Sequence, residues 1–144
     1  MAVQILLQDS NEERVVHEAA HDVESFIWVL SYCVMRNLCH RASQRSAPKE
    51  VSNQCPAIRS LLRQAFGQTA RKFIAYERHS TSCALTFHED PDVIEITKEF
   101  MSDALIALFR ELRGLIYRLD DPFKRNPLTH DSLLAVVNQS LASL

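Results

Sequence analysis

Glycine is almost missing from this chain. Only Gly67 and Gly114 occur in 144 residues, and they stand far apart. No glycine-rich loop can therefore wrap its backbone N–H groups around a phosphate. An excess of one charge is missing too: 16 basic and 18 acidic side chains leave a formal net charge of −2. That balance gives no field to draw in nucleic acid or an anionic membrane. No apolar run approaches the roughly 20 residues that a bilayer span needs, and no signal or transit sequence is visible. Cysteines 33, 39, 55 and 83 form no C-x-x-C pair. Reduced thiols in an intracellular protein are the expectation. His79, Cys83 and His88 match no zinc spacing and read as solvated loop residues.

What is present points to one mainly α domain. A hydrophobic content of 47% in a chain of this length is enough to build a core. After Asp22, positions 23 to 35 hold only Glu24, Ser25 and Ser31 as strongly polar residues. A helix this apolar is expected to be buried all round, with Phe26 and Trp28 both in the core. Asp22 reads as its N-cap, and the helix as running to Arg41. Residues 42 to 56 read as a polar loop punctuated by Pro48 and Pro56. A second helix is expected from Ala57 to Tyr76, with Ile58, Leu61, Leu62, Ala65, Phe66, Thr69, Phe73 and Tyr76 on one face. A third is expected over 91–119, started by Asp90 and Pro91. Its stripe is Met101, Leu105, Leu108, Leu112, Leu115 and Leu119, spaced for packing inside the chain. A last helix is expected over 131–141, capped by Thr129 or Asp131. The lead Met1 to Leu7 is apolar, either a helical turn or extended.

Two chemistries compete for the stretch from His17 to Cys33. His17, Glu18 and His21 spell H-E-x-x-H, in which two imidazoles one helical turn apart hold zinc and the glutamate acts as general base. The pattern is short enough to arise from composition alone. Its extended form fails, because Glu24 and Ile27 stand where Gly and His are needed. A third ligand would have to be a glutamate such as Glu50 or Glu77, which no motif supports. A zinc hydrolase is thus the third reading.

The second reading uses more residues. His17 followed by His21, Asp22, Val23, Glu24, Ser25, Phe26, Ile27, Trp28, Val29 and Leu30 resembles the H-x-x-x-H-D-L-E-S-F-F-W-V-L block of the fungal-type protein kinase family. Met1, Ala2, Val3, Gln4, Ile5, Leu6 and Leu7 resemble the F-M-A-x-E-L-L segment that closes the family's activation region. The segment Leu62, Arg63, Gln64, Ala65, Phe66, Gly67, with residues 70–74 after it, resembles the family's next helix. The run from Val93 resembles a later one. Motif-grade similarity is confined to the first 35 residues.

The resemblance implies the helical part of a kinase C-lobe, with residues 1–7 ending the activation segment and residues 22–41 forming the central helix. It implies structural anchors at Asp22, Glu24, Ser25 and Trp28, and no catalytic residue. Asp22 would correspond to the aspartate that receives backbone N–H groups of the catalytic loop. Position 4 departs from the pattern, being Gln where kinases carry a glutamate that pairs with a distant arginine. The V-A-I-K lysine, the H-R-D loop and the D-F-G aspartate are absent from these 144 residues. Phosphoryl transfer needs those parts, along with the ATP and magnesium that a complete member uses. The implied protein is a truncated, catalytically incomplete family member. Its partner would be the remaining kinase portion, or another protein, on exposed apolar surface. The alternative is a non-enzymatic helical interaction domain without kinase ancestry.

Overall fold

The computed structural model describes residues 19–67, 83–117 and 128–142. All secondary structure among them is helical: α1 (Ala19–Ala42), α2 (Lys49–Asn53), α3 (Cys55–Phe66), α4 (Cys83–Thr86), two 3-10 turns (Phe87–Glu89 and Pro91–Val93), α5 (Ile94–Phe100), α6 (Asp103–Tyr117) and α7 (His130–Leu141). The mainly α expectation holds. None of these helices is long and apolar enough to cross a membrane.

Helix α1 is the hub. It packs against α3, α4, α5 and α7, while α6 lies chiefly along α7 and α4. Its inward face is Val23, Ile27, Trp28, Met35, Leu38, Cys39 and Ala42, all buried. Leu85, Phe87, Val93, Ile96, Phe109 and Leu112 close the core from the later elements. Phe87 and Phe109 meet edge to face with ring centroids 5.3 Å apart, the arrangement that the ring quadrupoles favour. Tyr32 and Phe66 join α1 to α3 in the same way at 5.4 Å.

Polar groups fix how the helices sit. The Ser31 hydroxyl is fully buried and donates to the Ala84 carbonyl, tying α1 to α4. Ser52 Oγ donates to the Ala42 carbonyl at 3.2 Å, at the open end of α1. The Arg41 guanidinium stands 4.1 Å from the centroid of the Phe100 ring, within cation–π range. Helix α7 opens with a reciprocal capping box. Ser132 N–H donates to Thr129 Oγ1 at 3.1 Å, and Thr129 N–H donates to Ser132 Oγ at 3.0 Å.

Several boundaries differ from those expected. Helix α1 is already formed at Ala19, so Asp22 lies in its first turn and is not the N-cap. The residue 42–56 loop contains α2, because Val51 finds a buried seat in the core. The helix expected over 57–76 begins at Cys55 and stops at Phe66. Gly67 N–H donates to the Arg63 carbonyl at 2.7 Å, and a β-carbon on Gly67 would collide with that oxygen. Thr69, Phe73 and Tyr76 lie outside the described residues.

The helix expected over 91–119 is three pieces. Asp90 does start it, its side chain accepting from Asp92 N–H at 2.8 Å, but the first turn is 3-10. The chain then opens at Met101, which is extended and buried. Helix α6 restarts behind Ser102, whose Oγ accepts from Leu105 N–H at 3.3 Å. A buried Met101 anchors this corner, so the residue read as part of a continuous stripe is the break between two helices.

Candidate functional site

The residues singled out by the H-D-x-E-S-F-x-W block all lie on α1, and the helix sends them to different sides. Trp28 is buried, and its indole N–H donates to Glu24 Oε1 at 3.0 Å. Glu24 is itself buried, so the hydrogen bond lies inside the core. The spacing of four residues permits this contact, since it stacks the two side chains on one face of the helix. Ser25 is half-buried on the flank and Asp22 is exposed. The structure thus brings Glu24 and Trp28 together on the buried side, with Ser25 on the flank and Asp22 on the exposed side. His21 is also buried on α1.

The outer face of α1 reverses the expectation of burial all round. Phe26 is 52% exposed and Val29 58% exposed, and Cys33 is exposed beside them. The core-facing side meanwhile takes in three polar residues, His21, Glu24 and Ser31. Each removes a polar group from water, at a cost that a hydrogen bond must offset. Burial all round, expected from composition, is therefore corrected to one buried side and one open side. Among the described residues, Phe26, Val29, Leu134 and Leu141 are the large apolar side chains left exposed.

A second unusual group lies next to Phe87 and Phe109. His88 is buried beneath the rings of Phe87 and Phe109, and neither ring nitrogen has a hydrogen-bond partner. This corrects the reading of His88 as a solvated loop residue. The residue follows Phe87 within a short 3-10 turn, so it is carried inward with that anchor. Burial pushes its pKa down, against a smaller upward pull from Glu89 and with Arg110 and Arg113 adding to the fall. The Glu89 carboxylate stands 3.7 Å from His88 Nε2, 3.2 Å from an Arg113 guanidinium nitrogen and 4.0 Å from Arg110 Nε. An open depression of about 240 Å³ beside it is lined by Leu61, Thr86, Phe87, Glu89, Asp90 and Pro91. Nothing in the sequence spacing distinguishes His88 from a surface histidine.

Most of the zinc motif lies outside the described residues. Of its three residues only His21 is included, and Glu50 is exposed on α2; His17, Glu18 and Glu77 lie outside. His79 and residues 1–7 lie outside as well. Among the described residues no three His, Cys, Asp or Glu side chains converge as a metal site would require. Cys33, Cys39 and Cys55 are free thiols, and burial together with the neighbouring Cys55 thiol pushes the Cys39 pKa up. A raised pKa keeps the Cys39 thiol protonated and poorly nucleophilic.

Comparison with protein-family models, with curated proteins and with solved structures finds no match to this chain.

Proposed function

We propose that the chain is the helical core of a protein-kinase-like C-lobe that does not transfer phosphate and works as a binding module. The observation that carries this reading is the position of α1. The helix that holds the H-D-V-E-S-F-I-W-V-L string is the one on which α3, α4, α5 and α7 all pack. The resemblance calls for the same arrangement, with a central helix serving as the post for those that follow. Asp22 stands exposed in its first turn, where a catalytic loop would reach it, and Glu24 and Trp28 lock the buried side.

The chain supplies no group for the chemistry itself. Phosphoryl transfer rests on positioning and charge neutralisation by a phosphate-covering loop, a lysine and metal-binding acidic residues. None of those motifs occurs in these 144 residues. Reading the coding sequence upstream of Met1 tests the proposal. In-frame H-R-D and D-F-G motifs are the expected result, and a frame that lacks both overturns the kinase-like reading.

One observation favours a second reading, a helical interaction domain of other ancestry. The exposed Phe26, Val29 and Cys33 face is a binding surface in its own right, whatever the origin of the fold. The same upstream sequence separates the two.

A further inference from the structure

The near balance of charge over the whole chain conceals a division. Residues 25–67 hold six basic side chains and one acidic, Glu50, whereas residues 83–117 hold seven acidic and three basic. Three of the six basic groups gather where α3 lies along α1. Phe66 meets Tyr32 with ring centroids 5.4 Å apart, and the Cys55 thiol lies 4.0 Å from the Cys39 carbonyl oxygen, so the two helices run antiparallel. At roughly 100° per residue, Met35 and Arg36 fall about 50° to either side of the α1 line that faces α3. Met35 is fully buried and Arg36 is exposed, which marks the inner and outer sides of the seam. Across it Ile58 is fully buried on the inner side of α3, and Arg59 and Arg63 are exposed on the outer side.

The outer side of the seam is therefore a basic strip on an aromatic floor, the half-buried Tyr32 and Phe66. Interpolating between the two contacts sets Arg36 opposite Arg59, with Arg63 one turn, about 6 Å, further along α3. Packed helices stand about 8–10 Å apart, so the three guanidinium groups can reach one short ligand together. The charge of Arg59 is felt on α1: burial and Cys55 push the Cys39 pKa up, and Arg59 pulls it the other way. Arg36 donates to the Tyr32 hydroxyl at 3.4 Å, its guanidinium 5.9 Å from the ring centroid, and Arg63 Nε donates to the Arg59 carbonyl at 3.4 Å. Each of these bonds engages a single nitrogen and leaves the rest of the guanidinium fork open. Among the described residues no carboxylate stands within ion-pair distance of Arg36, Arg59 or Arg63.

We propose that this seam binds a short acidic segment of a partner protein, with Arg36, Arg59 and Arg63 taking its carboxylates and an apolar side chain resting on Tyr32 and Phe66. Guanidinium groups suit carboxylates because their planar fork donates two parallel hydrogen bonds at once. Three cations on one short strip match a few carboxylates. Nucleic-acid binding commonly draws on about 6–10 phosphate contacts, more than the seam offers. A long polyanion or a membrane surface would also meet the acidic side chains of residues 83–117, whereas a short segment in the seam avoids them. The inference gives the binding-module reading a partner and does not depend on kinase-like ancestry, which the upstream sequence tests separately.

Fluorescence anisotropy of a dye-labelled peptide of glutamates around a central leucine, titrated with the full chain, tests the proposal. Saturable binding is expected, weakening as salt rises from about 50 mM to about 300 mM, because exposed charges are screened. The same peptide with glutamine in place of glutamate should not bind. Arg59→Glu and Arg63→Glu should each weaken binding about tenfold or more, since each sets a like charge against the ligand. Arg45→Glu makes the same change of net charge at an exposed position beyond the end of α1, and it should leave the affinity within about twofold. Circular dichroism should confirm that the variants keep their helices, and Arg59→Gln, which removes the charge without reversing it, should weaken binding by less than Arg59→Glu. Failure of the glutamate peptide to bind overturns the proposal, as do equal losses for Arg45→Glu and the seam variants. A labelled oligonucleotide, or vesicles of anionic phospholipid, bound more tightly than the peptide and lost on Arg59→Glu would overturn the assignment of a protein partner.

Discussion

The side-chain oxygen of Gln54 accepts the backbone N–H of Glu95 at 2.9 Å, and that of Ile96 at 3.2 Å, across more than 40 residues of sequence. Gln54 sits in the joint between α2 and α3, and it caps the open N-terminal end of α5. The first N–H groups of a helix have no partner of their own, so a remote acceptor does for α5 what a local serine or aspartate does elsewhere. Gln54→Ala should cost about 1–2 kcal/mol of stability. Gln54→Glu keeps the acceptor and should retain most of it. Urea unfolding of the three proteins checks this; an alanine variant as stable as the parent would show the bond to be without consequence.

Trp28 is the single tryptophan and lies in the core. Its emission should be blue-shifted in the folded protein and move toward that of water-exposed indole on denaturation. Trp28→Ala should cost about 3–5 kcal/mol, the usual loss when a large core aromatic leaves a cavity. An emission maximum at the solvated value in a sample shown to be helical would contradict the burial.

His88 gives the stability a defined pH dependence. Its ordinary pKa is 6.5 and the folded value lies lower, because burial disfavours the imidazolium. The unfolded chain therefore binds the proton more readily than the folded one as pH falls through 6.5. The His88 contribution is fully present above that pH and is lost progressively below it, toward the folded pKa. His88→Leu should flatten this part of the profile, and above neutrality it should leave only a pH-independent offset. Melting temperatures measured from pH 8 down to pH 5 give the comparison, and parallel curves for the two proteins would exclude His88 as the source.

Nucleotide should leave the chain indifferent. A ligand that binds only the folded state stabilises it by about 2.7 kcal/mol at a hundredfold excess over its dissociation constant. With magnesium and ATP no rise in melting temperature is expected, and EDTA should leave it unchanged. A reproducible rise with ATP would reveal a phosphate site that no motif in the sequence announces. A fall with EDTA that zinc reverses and His21→Ala abolishes would return the H-E-x-x-H reading to the front.

The sequence was most readable where the signal is local. The last helix, read as capped by Thr129 or Asp131, has Thr129 as its N-cap, and Asp90 starts the helical run at Pro91; both signals depend on neighbours one to three residues away. The face of α3 through Ile58, Leu61, Leu62, Ala65 and Phe66 is buried or half-buried as its period requires. What depends on distant partners was hidden. In a run as apolar as residues 23–35, periodicity cannot choose a face, and the choice fell to the helices that pack on α1. A uniformly apolar run therefore puts Phe26 inside although it lies outside, and gives no sign that Glu24 and Ser31 are buried. The turn at Met101 and Ser102 carries neither glycine nor proline, and a buried methionine that fixes a corner reads the same as one within a helix. The candidate site was legible as a string of residues on α1, but its division into a locked inner side and an open outer side was not.

The place of α1 as hub has a consequence for how the protein is made. Helix α1 leaves the ribosome ahead of the other described helices that pack on it, and α7 begins 88 residues after α1 ends. At ordinary synthesis rates that interval is about 4–18 s. Through it Ile27, Trp28 and Met35 wait without their final neighbours, since contacts so distant along the chain cannot form sooner. A slow stretch of translation before His130 would therefore lengthen the exposure of this face more than one after it.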